Sequence, residues 1–219
     1  WVYPPRDSKY SKGDCLQRDS YLNYIKKIIK YGFEVGLHNV GSGKYFREEI
    51  LKGLEDFKKK LGFYPKIHVN HSYNKDNIYC GSKRFSFPIN YLVKFLYSHY
   101  DDFFGDDPNS SHFWGDLHKK HIKYSRNLEV DNVNTLKIVP LMPYVDPKYS
   151  QFSNYWYAST FAPNQWVFNK IINEKSIDKL ESENGVCILY THLGYYVQDG
   201  IIDPGFVRMI KYISNKENG

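Results

Sequence analysis

Helix, strand, helix, strand in quick succession predicts an α/β protein with parallel strands. Two observations carry this expectation: a helical apolar stripe that stops at Gly32 and runs straight into a period-two segment over 33–38, and a repeat of that helix–strand pair over 46–71. A helix that carries the chain back between two strands leaves them running parallel. A length of 219 residues suffices for one sizeable domain, and a single domain spanning 1–219 is expected.

The opening residues 1–19 are polar, carry Pro4, Pro5 and Gly13, and read as an arm or loop. From Ser20, Tyr21, Tyr24, Ile25, Ile28 and Ile29 recur at helical spacing, with Gly32 as the stop. Phe33-Glu34-Val35-Gly36-Leu37-His38 then alternates, placing Phe33, Val35 and Leu37 on one face and Glu34, Gly36 and His38 on the other. A second helix over 46–61 buries Ile50, Leu51, Leu54, Phe57 and Leu61 and ends at Gly62. A second strand follows Pro65, over 66–71. Residues 73–135 fit no simple unit: one helix is expected over 89–97, an acidic turn over 101–108, and a His-rich aromatic stretch over 110–124. A structureless segment that long is uncommon, so further helices are expected there. A third strand is predicted over 136–142 and helices over 163–173 and 176–183. The apolar run Val186-Cys187-Ile188-Leu189-Tyr190 reads as a strand covered on both faces. Asp203-Pro204 opens the last helix as N-cap and first helical residue, with Phe206, Met209, Ile210 and Ile213 as its core face.

Composition narrows the function classes. The net charge of +6 is spread along the chain instead of gathered in a stripe, which argues against nucleic acid. Lys58-Lys59-Lys60 falls at a helix end, where it suits the dipole and requires no partner. No apolar run approaches the length of a transmembrane helix. Cys15, Cys80 and Cys187 have no metal-ligand spacing, and Cys187 reads as a small core residue. The chain begins with Trp1 and no signal-peptide pattern follows, so a processed product or a fragment of a longer protein is expected. Aromatic residues make up 18%, including 21 tyrosines and four tryptophans. This suits sugar stacking and equally suits a biased genome.

In parallel α/β folds, chemistry gathers where strands end. His38, His71 and His192 each fall at or just past the end of a predicted strand. Imidazole there serves as metal ligand or proton carrier, although a single such histidine is more often structural. The cluster His112, Trp114, Asp116, His118 and His121 lacks the H-E-x-x-H spacing of a zinc protease and reads better as a surface or cleft-lining loop than as a separate metal site. Trp114 or Trp156 are candidates for stacking on a sugar, and Asn39, Ser42 and Asn70 for hydrogen bonds to substrate hydroxyls or to an imidazole. Gly41-Ser42-Gly43-Lys44 lacks the upstream glycine of a phosphate-binding loop, and no G-x-S-x-G elbow occurs.

These residues resemble those of a known family. Gly32-Phe33-Glu34-Val35-Gly36-Leu37-His38 is similar to the G-H-E-I-G-x-H strand of polysaccharide deacetylases, whose final histidine ligates the catalytic metal. Ile188-Leu189-Tyr190-Thr191-His192 resembles that family's late strand ending in L-x-H, whose histidine is the general acid. The helix closing in Leu61-Gly62-Phe63-Tyr64-Pro65 matches the rhythm that precedes the third motif. The resemblance covers roughly residues 20–72 and 184–213, leaving 73–135 as a divergent insertion. It implies an irregular parallel (β/α) barrel, incomplete at the N-terminus because no strand ending in an Asp-Asp pair precedes Tyr21. It further implies a bacterial enzyme that hydrolyses an acetyl group from a polysaccharide or glycan precursor. A divalent metal, zinc in the first instance, then polarises the carbonyl and activates water, and His192 protonates the leaving group.

On this resemblance His38 is a metal ligand, and His71 a second imidazole offered from the neighbouring strand end. Two departures bear on it. The family's second metal histidine, four residues after the first, is Ser42 here. The Asp-Asp pair has no counterpart: Asp7 and Asp14 are isolated, and Asp101-Asp102 and Asp106-Asp107 sit in a turn and are expected to face solvent. The alternative is a deacetylase-like protein that has lost catalysis and kept the fold to bind carbohydrate or act as a scaffold.

Overall fold

The computed structural model describes residues 1–6, 13–96 and 103–216. Asp7, Asp101, Asp102 and the last residue of the helix expected over 89–97 lie outside them. The chain forms two compact units, Trp1–Asn127 with Pro143–Trp156, and Leu128–Met142 with Tyr157–Gly219.

The first unit holds helix α1 (Asp19–Lys30), helix α2 (Arg47–Leu61), strand β1 (Ile67–His68), helix α3 (Ile89–Leu96) and helix α4 (Gly115–His121). Helix α2 follows its sequence closely. Ile50, Leu54 and Phe57 are buried, Glu49 closes a bond to the Phe46 amide, and Gly62 takes φ 91°, the left-handed cap that glycine supplies without strain. Leu51, expected inside, is 45% exposed. The core gathers Val2, Leu16, Ile25, Leu37, Ile50, Leu54, Phe57, Ile78, Trp114 and Trp156. The expected strand over 33–38 makes one parallel bridge only, Leu37 to His68, through Leu37 N to Ile67 O at 2.8 Å and Val69 N to Leu37 O at 2.9 Å.

The second unit contains helix α5 (Thr135–Ile138), helix α6 (Gln165–Ile171), helix α7 (Glu174–Ser182), strand β4 (Leu189–Tyr190) and helix α8 (Pro204–Ser214). The third strand expected over 136–142 is not formed. Asn134 instead accepts a bond from the Lys137 amide and starts a helical turn, which takes Leu136 out of extended geometry. The Asp203 cap of α8 is as expected, its carboxylate accepting from the Phe206 amide at 2.8 Å. Met209 is buried, whereas Ile210 is 47% exposed. Around them pack Ala162, Phe168, Ile172, Ile177 and Tyr196. Val186 is exposed and 187–190 are half-buried, so this run is not covered on both faces as its apolar character suggested.

Two longer strands, β2 (Tyr124–Val130) and β3 (Tyr155–Phe161), carry the sheet, and the boundary between the units passes through both. The strands hydrogen-bond in the order β1-β2-β3-β4, with β1–β2 and β3–β4 parallel. Strand order that follows chain order is compatible with a partial (β/α) barrel. Val197–Gln198 and Ile201–Ile202 form a separate antiparallel hairpin. Among the described residues no helix is long and apolar enough to cross a membrane.

Candidate functional site: a histidine pair at the end of β1

The Leu37–His68 bridge fixes the register that brings His38 and His71 together. Leaving that bridge, the two segments carry the rings to 4.8 Å between centroids, edge to face at 70°. Trp1 lies parallel to His38 at 6.4 Å and edge-on to His71 at 5.2 Å. His38 Nδ1 sits 3.0 Å from the Val69 carbonyl and His71 Nδ1 3.2 Å from Asn74 Oδ1. An acceptor at Nδ1 makes each ring the tautomer that carries its proton there and its lone pair on Nε2. Burial drives the His38 pKa down to about 3, with the neighbouring His71 adding to the shift and the Val69 carbonyl opposing it.

Behind the pair lies a polar network of which the sequence singled out only Asn39. Asn39 is fully buried with φ 48°, a left-handed conformation that asparagine tolerates. Its Oδ1 accepts from the His71 amide at 2.8 Å and its Nδ2 donates to Asp76 Oδ2 at 2.6 Å. Asn74 Nδ2 donates to the Gly41 carbonyl at 2.8 Å and to Asp76 Oδ1 at 3.3 Å. Desolvation raises the Asp76 pKa to about 7, against the amide bonds that lower it. Asp76 sits in a loop with no periodicity. The run Asn74-Lys75-Asp76-Asn77 just after a strand-end histidine was the one signal that pointed to it.

The other expected site residues in this unit have structural surroundings. Asn70 clasps Ile78 through both backbone groups, Nδ2 to the carbonyl at 2.8 Å and the Ile78 amide to Oδ1 at 3.0 Å, and so closes the loop between them. Ser42 is 3% exposed. Trp114 and Trp156 are core side chains, 1% and 2% exposed, and offer no ring face for a sugar to stack on. The His-rich cluster does not converge. Asp116 pairs with Arg47 at 2.7 Å, His121 packs on Tyr64 at 3.9 Å, and His112 Nδ1 bonds the Tyr45 carbonyl at 2.6 Å. His118 turns inward, its Nδ1 bonding the Phe152 carbonyl at 2.6 Å and its Nε2 lying 3.0 Å from Ser125 Oγ. That serine–histidine pair has dyad geometry, but at 2% and 0% exposure no substrate reaches it. Burial holds His118 at about 4 and pushes the fully buried His68 well below the ordinary imidazole range. Asp106, expected to face solvent, is a buried carboxylate held by Lys83.

His192, in the second unit, is exposed. Its Nδ1 lies 3.1 Å from the Pro163 carbonyl and its Nε2 3.3 Å from the Tyr190 hydroxyl. The carbonyl only accepts, so Nδ1 donates, and in the neutral ring Nε2 accepts a hydrogen bond from the Tyr190 hydroxyl.

Among the described residues no group of three or more His, Cys, Asp or Glu side chains is arranged to hold a metal ion. Two imidazoles are one fewer than the three protein ligands that a catalytic zinc site uses. Compared with family models, curated proteins and solved structures, the chain matches none.

Proposed function

We propose that the chain is a metal-dependent hydrolase of the polysaccharide deacetylase type, removing acetyl groups from a polysaccharide or glycan precursor on that family's irregular (β/α) barrel. The observation that carries the reading is the approach of His38 and His71 to 4.8 Å, each with Nδ1 facing an oxygen acceptor. In this reading both imidazoles ligate a divalent ion, zinc in the first instance, and Asn39, Asp76 and Asn74 hold His71 in place from behind. Such an ion, when bound, supplies Lewis-acid polarisation of the acetyl carbonyl and an activated water. The family resemblance gives His192 the role of general acid: with Nδ1 held by the Pro163 carbonyl, its imidazolium would deliver the Nε2 proton to the leaving atom.

Ser42 favours a second reading. Where the family's second metal histidine falls, this chain has a buried serine, which suits a deacetylase-like carbohydrate-binding or scaffold protein without turnover. Acetate release separates the two readings. With zinc supplied, the full chain should release acetate from an N-acetylated glucosamine oligomer or an O-acetylated xylan. His192→Ala should lower turnover by about a hundredfold or more, as loss of a general acid does, while leaving metal content unchanged. Oligomer binding without acetate release from either substrate favours the second reading.

A further inference from the structure

The first unit contains a cavity of about 410 Å³ bounded by the tight turn Gly81–Arg84, α3 and the turn Pro147–Tyr149. Its volume falls within the roughly 300–1,000 Å³ of small-molecule sites. It shares no lining residue with the His38–His71 pair, so nothing about it depends on a metal.

The lining has a definite chemistry. Lys83 Nζ donates to both carboxylate oxygens of Asp106 at 3.0 Å, and these two charges cancel on one wall. Lys94 and Lys148 also line the cavity, are exposed, and have no ion-pair partner among the described residues. The cavity therefore presents two uncompensated positive charges. Tyr79 and Tyr149 form a buried, tilted aromatic pair with centroids 4.4 Å apart, which leaves Tyr91, 67% exposed, as the ring face open to a ligand. Asn90 also lines the cavity; its Oδ1 has no hydrogen-bond partner among the described residues and is shielded from solvent, so a ligand hydroxyl reaches it once the side chain turns.

We propose that this cavity binds an anionic sugar: a pyranose bearing a carboxylate or a phosphate. The acid group would take Lys94 and Lys148, a hydroxyl would donate to Asn90, and the apolar face of the ring would lie on tyrosine. A simple anion uses only the lysines, and a neutral sugar uses only the asparagine and the rings. The combination selects a ligand with both.

Calorimetric titration of the full chain with glucuronate, glucose 6-phosphate, glucose and inorganic phosphate tests the assignment. Glucuronate or glucose 6-phosphate should bind, and the tighter of the two identifies the acid group. Glucose and inorganic phosphate should each bind at least about tenfold more weakly, as expected when charge-assisted bonds worth about 1.5–3 kcal/mol, or the ring contacts, are missing. Lys94→Gln and Lys148→Gln, both at exposed positions, should each weaken the charged sugar by a similar factor without moving the thermal midpoint. Absence of binding by either charged sugar overturns the proposal, as do glucose or phosphate binding equally well and affinity unchanged in both lysine variants.

Discussion

Trp114→Ala is expected to destabilise the protein by about 3–5 kcal/mol, the cost of emptying a fully buried tryptophan site. Trp114 is 1% exposed and packs edge-on against His68 and His118, each at 5.1 Å between centroids. Its Nε1 donates to the Asp76 carbonyl at 2.6 Å, and truncation leaves that carbonyl without its partner, adding about 1–3 kcal/mol. Against a typical stability of about 5–15 kcal/mol, the variant should be partly unfolded at room temperature. Urea unfolding followed by far-UV circular dichroism checks this. Trp166→Ala, at a ring 67% exposed, is the matched control and should change little. A loss below about 1 kcal/mol at Trp114 would contradict the packing described, since even a single core methylene is worth nearly that.

Acidification from pH 6.5 to 4.5 should cost almost as much. His38, His68 and His118 are buried as neutral imidazoles, with pKa values lowered to about 3 for His38, well below normal for His68, and to about 4 for His118. In this window the unfolded chain binds protons at these residues that the folded chain refuses, so their stabilisation is complete above the unfolded value near 6.5 and is lost as pH falls. Asp76 works the other way. Its folded pKa is raised to about 7, so the folded state holds a proton that the unfolded state releases, and stability from this group grows as pH falls. Three imidazoles against one carboxyl leave a net proton uptake on unfolding that grows from under one near pH 6.5 to about two near pH 4.5, each proton worth about 1.4 kcal/mol per pH unit. Urea midpoints at pH 6.5 and 4.5 measure the slope, and a Ser125→Ala, His118→Leu double variant should flatten it. A midpoint that holds steady across the window would show that these histidines already titrate in the folded state.

The elements that were legible in the sequence are those with local punctuation. Helix α2 has a wide apolar stripe and the Gly62 stop, and α8 has Asp203-Pro204, so both could be placed to within a residue or two. The two longest strands escaped for a shared physical reason: apart from Trp156, their buried positions are polar or small. Ser125 of β2 is buried to bond His118, and Thr160 of β3 is fully buried to bond Thr135 and the Asn132 carbonyl. Burying hydroxyls erases the apolar alternation that marks a strand. The region 136–142 failed in the opposite sense, because its apolar residues read as extended while the Asn134 side chain turned the backbone. For the candidate site, strand-end position sufficed to pair His38 with His71. Asn39 was singled out, but its partners Asp76 and Asn74 were invisible because the support is tertiary, joining residues up to 37 positions apart through side chains in a loop without periodicity.

The most direct test is the zinc content of the full chain after incubation with zinc and gel filtration, measured beside His38→Ala and His71→Ala. Near-stoichiometric zinc in the parent and its loss in both variants is the predicted result. Zinc absent from the parent, or retained equally by both variants, would contradict a metal site at this histidine pair.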